Sequence, residues 1–407
     1  MARTSPDGGD TAGEHGQAGW PALTRERRVW PASGQSFRFE DLIDRPYDAA
    51  VPASISRAEP RLPGAVQAAA DRATAEVARF DLESRDAPVP MPAILLRSES
   101  ASSSQIEHLT ASAKNLALSM IGLGGRQNAD LVAANARAMS QALQQTEVTE
   151  AGILATHRTL LGAVDPNAGQ WRAEPVWIGR AGSIPPTAEY VPPFHTRVPA
   201  AMADLVEFAA RDDLPVLVHA ALAHAQFETI HPFTDGNGRT GRVLIHNVLR
   251  RRGLVRHATV PVSSGLLAHP EGYFAALAAY REGDVAPIVS QVAGAAVLAV
   301  DNGRALAADI AQVRESWADM IPSRAGAASR RLADHMFAQP LVNTAAVVVS
   351  LGVSEPTARR ALDELAAAGV IRQVTAARRN RVWQADAALQ VMDRFAERSL
   401  RRQPPPR

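Results

Sequence analysis

The chain has 407 residues, of which 46% are hydrophobic and 21% charged, and its formal net charge is +1. This composition predicts a globular protein of two or three domains, and the near-zero net charge gives no global argument for nucleic-acid binding. Because there is no cysteine, disulfides, zinc–thiolate sites and thiol catalysis are excluded.

The first part of the chain is predicted to be mostly helical. Residues 1–34 are small, polar and glycine-rich, without signal-peptide features, and are predicted to be disordered. Residues 35–149 are predicted to form an N-terminal helical region, in which apolar residues recur at helical spacing over 65–82 and 128–145. No apolar run reaches the length of a membrane span, so we expect a cytoplasmic protein that does not contact a membrane.

Residues 150–300 are predicted to form the core domain. Apolar periodicity predicts helices over 199–210, 214–229 and 238–251. The segment 171–193 contains tryptophans, glycines and several prolines instead, and this pattern predicts a short hairpin.

The C-terminal part is predicted to hold a linker, a second domain and a tail. Residues 301–325 are interpreted as a helical linker, 326–390 as a winged helix-turn-helix and 391–407 as a tail. Within this domain, Gly352 supplies a turn and Ser354 caps a second helix that starts near Glu355.

The residues after this second helix predict a basic wing of two short strands. From residue 321 to the end there are 14 arginines against 7 acidic residues, so this part is basic and the rest of the chain is acidic. A recognition helix with a basic wing suits contacts to DNA phosphates, and the alternative is a dimerisation or protein-docking module. The predicted DNA contacts are Thr357, Arg359, Arg360, Arg378 and Arg379.

The most informative stretch is 231–242, HPFTDGNGRTGR. It contains an imidazole, a carboxylate, a glycine-flanked turn and two arginines. Glycines let backbone N–H groups approach an anion closely, and arginines pair with phosphate oxygens. If the loop opens a helix, the free amides and the positive dipole end also favour phosphate. The pattern predicts nucleotide polyphosphate chemistry with a base beside it.

These residues resemble the signature of the Fic (Fido) family, HxFx(D/E)GNGRxxR, and match every fixed position. Most members transfer AMP from ATP to a hydroxyl side chain of a target protein. The resemblance implies a mainly α fold, in which a Fic-type helical core with a short β-hairpin flap precedes the winged helix-turn-helix. It also implies a protein adenylyltransferase (AMPylator) that uses ATP and Mg²⁺ and forms a homodimer. The alternative is a DNA-binding transcriptional regulator whose Fic domain senses nucleotide.

The resemblance gives each signature residue a role. His231 would be the general base that takes the proton from the incoming Ser, Thr or Tyr hydroxyl. Asp235 would hold Mg²⁺, which prefers carboxylate and phosphate oxygens. The loop backbone would form an anion hole for the α- and β-phosphates, and the arginines would neutralise the outer phosphates. The nucleotide-binding residues would be Gly236, Asn237, Gly238, Arg239 and Arg242.

A second motif resembles the inhibitory motif of the family. Residues 103–107, SSQIE, match its (S/T)xxxE part, on a helix predicted near 103–118. The resemblance implies that Glu107 pairs with Arg242 and so removes the partner that the γ-phosphate needs. His108 departs from the family pattern, which usually has Gly or Asn there. In some inhibited members the same site also removes AMP, with this glutamate orienting a water. The alternative is that residues 103–107 simply begin a helix.

The predicted hairpin resembles the Fic flap. In that family the flap holds the target segment by strand addition, which is tolerant of target sequence. The flap therefore does not identify the target protein, and the target could be another copy of this protein or the chain itself (self-modification). A surface hairpin with a packed tryptophan is the alternative. The residues that carry this resemblance are Trp177, Ile178 and Gly179.

Overall fold

The computed structural model describes residues 19–32, 43–180, 182–375 and 381–400. Within these ranges the fold is mainly helical, as predicted, with fifteen α-helices and two small antiparallel sheets. None of the helices in these ranges is long and apolar enough to cross a bilayer. The strands are β1 (Thr24–Trp30), β2 (Arg45–Val51), β3 (Leu341–Asn343), β4 (Arg372–Gln373) and β5 (Val382–Gln384).

The helices fall into a large body and a smaller C-terminal group. The helices of the body are α1 (Gly64–Arg85), α2 (Met91–Ile106), α3 (Ala113–Met120), α4 (Gln127–Ala142), α5 (Glu150–Leu161), α6 (Val198–Ala209), α7 (Val216–Ile230), α8 (Asn237–Arg251), α9 (Val262–Leu267), α10 (Pro270–Arg281) and α11 (Ala286–Met320). The C-terminal helices are α12 (Ala328–His335), α13 (Thr344–Leu351), α14 (Glu355–Ala367) and α15 (Asp386–Leu400).

The centre of the body is the pair α7 and α8. The sequence of α7, VLVHAALAHAQFETI, is apolar or small on nearly every face, which is typical of a fully buried helix. Its residues 217–230 are all buried, and α8 is buried from its first residue to Leu249. The long helix α11 packs against α7, α1, α9, α10 and α15. The loop between α7 and α8 is therefore held by the core at both ends.

The prediction of a single helix near 103–118 is wrong, because α2 ends at Ile106 and α3 begins at Ala113. Glu107 is the C-cap residue of α2, and His108 follows it with a left-handed φ of 61°. The alternative that residues 103–107 begin a helix is also wrong, because Ser103 and Ser104 lie inside α2. There, serine hydroxyls donate to the carbonyl four residues earlier, which satisfies them within a buried helix. Residues that do this are Ser98, Ser100 and Ser104.

Part of the N-terminal segment predicted to be disordered is ordered. Strand β1 pairs with β2, placing Thr24 opposite Val51. Trp20 is buried against the rings of Phe208 and Tyr280. No apolar pattern revealed this strand, because its sequence, TRERRVW, is mostly charged. Residues 1–18 lie outside the described residues.

Two predicted domain boundaries cut through helices. The linker 301–325 is largely the second half of α11, which continues unbroken to Met320. The tail 391–407 begins inside α15, which packs against α11, α2 and α9. Residues 401–407 lie outside the part of the chain that the structure describes.

The predicted flap is less regular than a hairpin. Between 171 and 193, leaving aside residue 181, one antiparallel bridge joins Ile178 to Tyr190, and residues 185–187 form a 3₁₀ turn. The Trp177 ring nitrogen donates to the carbonyl of Ser183 at 2.7 Å. The amide of Ala50 in β2 donates to the carbonyl of Val191 at 3.0 Å, so the N-terminal strands border the flap.

The C-terminal group has the element order predicted for a winged helix-turn-helix. Gly352 makes the turn between α13 and α14 with a φ of 62°, and the small sheet has the order β3-β5-β4. Arg359 and Arg360 are exposed on α14, and Thr357 is half-buried. The assignment to that class stays a prediction. The predicted contacts Arg378 and Arg379 lie outside the described residues.

Candidate active site

The signature residues lie at the junction of α7 and α8. His231 directly follows α7 in the left-handed conformation, with φ 51° and ψ 62°. A glycine usually occupies this position after a helix. Gly236, with φ 74°, is the N-cap of α8. A side chain in this backbone region is strained by about 1–2 kcal/mol, so other contacts must hold His231 in place.

Two side chains from the flap segment bind the carbonyls at the end of α7. Arg172 Nε donates to the His231 carbonyl at 2.8 Å, and its Nη2 donates to the carbonyl of Pro193 at 2.6 Å. The Tyr190 hydroxyl donates to the carbonyl of Thr229 at 2.6 Å. Carbonyls in the last turn of a helix have no partner within it, and here the flap supplies their donors.

The surroundings of His231 keep its imidazole neutral. Burial lowers the pKa of His231, and the guanidinium groups of Arg172 and Arg281 lower it further. The side chain still retains 18% exposure, so a reactant can reach it. A neutral, accessible imidazole is the form that a general base requires.

Glu228 is a buried carboxyl beside His231. Its Oε2 lies 3.9 Å from Nδ1 of His231, and its Oε1 has no hydrogen-bond partner among the described residues. Burial raises the pKa of Glu228 to about 7, while Arg242 opposes this shift and Glu107 adds to it. No sequence motif singled out this residue, because its carboxyl is unusual only through its burial.

Arg239 presents unused donors at the start of α8. Its side chain is 2% exposed, and its Nε and Nη1 have no partner within the described ranges. Its Nη2 lies 3.4 Å from both carboxylate oxygens of Asp235. A buried guanidinium without full hydrogen bonding is unfavourable unless an anion completes it. This arrangement fits a phosphate group.

Asp235 has the exposure that a metal-binding carboxylate at a substrate site needs. Its side chain is 72% exposed, and its Oδ1 accepts a bond from the Gly236 amide at 2.6 Å. Mg²⁺ typically takes one or two carboxylates and completes its shell with phosphate oxygens and water. The described part of the chain holds no group of three or more metal-ligating side chains. A single exposed carboxylate beside a phosphate site fits the donor chemistry of Mg²⁺.

The side chain of Asn237 closes the loop. Its Nδ2 donates to the carbonyl of Phe233 and its Oδ1 accepts from the amide of Phe233, both at 2.8 Å. Any contact of Asn237 with phosphate would therefore involve its backbone. Phe233 is buried and stacks on His157 at 3.7 Å between ring centres. His157 Nε2 lies 3.0 Å from the carbonyl oxygen of Asp235, a contact across 78 residues that the sequence analysis missed.

The segment that resembles the inhibitory motif lies directly against the signature helix. Arg242 Nη2 donates to Glu107 Oε1 at 2.9 Å and to the Ser103 carbonyl at 2.8 Å, and Nε donates to Ser103 Oγ at 2.9 Å. A Cβ atom added at Gly238 would collide with Glu107 Oε1. The Glu107 carboxylate thus lies over the first turn of α8, where an anion would bind.

Residues 147–249 match the model of the Fic/DOC family. Protein adenylyltransferase fic-1 of Caenorhabditis briggsae is 34% identical over 148 residues, which cover 36% of this chain and 27% of that protein. Protein adenylyltransferase Fic of Drosophila willistoni is 34% identical over 152 residues, or 37% of this chain and 28% of that protein. The chain thus spans about a quarter of the length of these curated relatives.

A solved Fic family protein from Desulfovibrio desulfuricans G20 shares the fold. It aligns with a TM-score of 0.50 and 24% sequence identity, over 78% of this chain and 95% of that chain. The family match confirms the resemblance seen in 231–242, and the solved structure shows the same fold. The chain contains a Fic/DOC family domain.

Proposed function

We propose that the protein is an adenylyltransferase that moves AMP from MgATP to a Ser, Thr or Tyr hydroxyl of a target protein. The observation that carries this proposal is that one loop holds both a neutral His231 and a buried Arg239 with unpartnered donors. The relatives that are named protein adenylyltransferases support the reaction class.

The reaction follows from the chemistry of the loop. The triphosphate lies at the first turn of α8, where backbone amides and Arg239 stabilise its charge. The target hydroxyl oxygen forms a bond to the α-phosphorus as His231 accepts its proton, and the bond from that phosphorus to the bridging oxygen breaks. Pyrophosphate leaves and AMP stays as a phosphodiester. Asp235 would hold Mg²⁺, which supplies charge neutralisation to the phosphates when bound.

We further propose that Glu107 inhibits the enzyme. Its carboxylate accepts a hydrogen bond from Arg242 and lies over Gly238. A γ-phosphate must therefore compete with this carboxylate for Arg242 and for the space above Gly238. A charged hydrogen bond is worth about 1.5–3 kcal/mol, which is enough to disfavour the productive pose of ATP. The removal of AMP, with a water oriented by Glu107, is a further reaction that the same assay can detect.

The test uses α-³²P-labelled ATP with Mg²⁺. We expect weak covalent labelling of the wild type, strong labelling of Glu107→Gly and none of Glu107→Gly with His231→Ala. His257→Ala is the matched control, because this histidine lies beyond α8 and is not part of the loop. Absence of label from Glu107→Gly, with and without candidate target proteins, would contradict the proposed activity.

A second candidate function rests on the C-terminal group. The exposed arginines Arg359 and Arg360 on α14 and the basic composition after residue 321 support DNA binding. In that case the protein would be a transcriptional regulator whose Fic domain senses nucleotide. Covalent labelling that depends on His231 favours the enzyme over this candidate.

A further inference from the structure

We infer that Arg172 and Tyr190 are positioning residues, which hold His231 in its left-handed conformation and tie the base to the flap. This inference rests on the proposed function, because it assigns His231 the role of general base. Neither residue touches the reacting atoms in the proposed mechanism. Their role is to fix the backbone that carries the imidazole.

The conformation of His231 needs support from outside its own helix. His231 and His108 are the two non-glycine residues with positive φ in the part of the chain that the structure describes. One backbone bond, from the His231 amide to the carbonyl of Phe227 at 2.8 Å, continues the helix to this residue. A strained backbone persists only where surrounding contacts determine it. Further hydrogen bonds to this turn come from the flap segment.

Arg172 supplies most of this support. It is 5% exposed, and its side-chain donors reach carbonyls both at the end of α7 and on the flap. They bind His231 at 2.8 Å, Glu174 at 3.1 Å and Pro193 at 2.6 Å. Its own amide donates to the carbonyl of Pro232 at 3.0 Å. The rigid guanidinium fork carries five N–H donors and so binds carbonyls in several fixed directions at once.

Tyr190 supplies the second connection. It forms the antiparallel bridge with Ile178, and its hydroxyl donates to Thr229, two residues before the base. Burial raises the pKa of Tyr190 to about 12, so the hydroxyl remains a donor. The guanidinium of Arg281 lies 3.6 Å from the ring centre and fixes its orientation. The part of the flap that would hold a target is therefore bonded to the turn that carries His231.

This arrangement predicts a specific kinetic signature. The described hydrogen bonds of Arg172 and Tyr190 all go to carbonyl oxygens of the flap and of residues 229–232, and none goes to Asp235, Arg239 or Arg242. Loss of these hydrogen bonds therefore displaces the imidazole of His231 and leaves the phosphate site intact. Since a displacement of about 1 Å can cost about 100-fold in rate, kcat should fall while nucleotide affinity is kept.

The experiment compares variants made in the Glu107→Gly background. We expect Arg172→Gln to lower kcat about 100-fold with the KM for ATP unchanged within about twofold. Arg172→Lys keeps the charge but not the fork, so it should remain impaired, and Tyr190→Phe should lose about tenfold for one hydrogen bond. The control is Arg252→Gln, which removes a similar arginine that donates to the carbonyls of Leu214 and Asp212 at the far end of α8. It should keep full kcat.

A second measurement does not depend on catalysis. The ring ¹H–¹⁵N signal of His231, identified by its loss in His231→Ala, should shift or broaden in Arg172→Gln and Tyr190→Phe and stay unchanged in Arg252→Gln. If Glu107→Gly transfers no label, the proposed function fails, yet this signal still tests the positioning. An unchanged signal in folded Arg172→Lys and Tyr190→Phe overturns the inference. So does a fall in ATP affinity that matches the fall in kcat.

Discussion

Oε1 of Glu99 on α2 and Nε2 of His246 on α8 lie 2.9 Å apart. The same antiparallel packing of the two helices brings Glu107 to Arg242. On α2 the facing residues Glu99, Ser103 and Glu107 are four apart, and on α8 Arg242 and His246 are four apart as well. Residues at this spacing share one face of a helix. The Glu99 side chain is completely buried. The exposed Glu107 thus lies two turns from a buried contact between the same two helices.

The first prediction concerns Glu107 itself. Replacing it with glycine, or with the isosteric glutamine, removes the charge that competes for Arg242. Since the lost interaction is worth about 1.5–3 kcal/mol, the initial rate of labelling should rise about 10–100-fold. Glu107→Gln keeps the shape, so it separates charge from steric blockage. Equal labelling of wild type and both variants at equal folded concentration would reject the inhibitory role.

The second prediction concerns Glu99. Its carboxylate also accepts bonds from the amide and hydroxyl of Ser263, so Glu99→Gln disturbs a fully buried network. We expect the free energy of unfolding in urea to fall by about 1–3 kcal/mol. Labelling should rise severalfold, because α2 loses its register on α8. In the Glu107→Gly background the same change should add nothing to labelling, and an additive increase would show that Glu99 acts elsewhere.

The third prediction concerns metal dependence. Asp235→Asn keeps an oxygen that can accept from the Gly236 amide but removes the charge that Mg²⁺ prefers. The Mg²⁺ concentration for half-maximal labelling should rise about tenfold or more. Binding of ATP measured in EDTA should not change, because Arg239 and the α8 amides remain. A normal Mg²⁺ titration curve for this variant would remove Asp235 from the metal site.

The fourth prediction concerns stability and pH. The pKa of Glu228 is about 7 in the folded protein, against an ordinary value of 4.5. Between these pH values the folded state keeps a proton that the unfolded state releases, so the contribution of this group to stability is lost as pH rises. At about 1.4 kcal/mol per pKa unit the loss is on the order of 3 kcal/mol.

Histidines with a lowered pKa, such as His231, act in the opposite direction, so the measurement is a difference between two proteins. Glu228→Gln keeps the shape without titrating. From pH 5 to pH 8 the free energy of unfolding of the wild type should fall relative to this variant. Parallel curves would show that Glu228 titrates normally.

The fifth prediction concerns the C-terminal group. If α14 contacts DNA, the full chain should shift a labelled duplex at low salt, and affinity should fall steeply as salt rises. Arg360→Ala should weaken binding and lower the salt slope by about one for one lost phosphate contact. Arg79→Ala, an exposed arginine on α1, is the control. No shift of any duplex at low salt would leave the C-terminal group without a DNA role.

The sequence by itself determined the family that the loop belongs to and most of the central helices. The loop could be interpreted because its base, carboxylate and arginines are contiguous in 231–242. Helices predicted over 214–229 and 238–251 were observed at 216–230 and 237–251. In both cases the signal is local, since helical periodicity and turn residues act within a few positions.

Only the tertiary structure decided which distant groups support that loop. Arg172 donates to the carbonyl of His231, 59 residues away, and His157 contacts the carbonyl of Asp235, 78 residues away. Elsewhere in the fold, β1 is ordered by its pairing with β2. Among the buried serines of α2, Ser103 also accepts a hydrogen bond from Arg242 on α8. Burial and long-range hydrogen bonds depend on what the chain brings together in space. Local periodicity in the sequence therefore does not predict them.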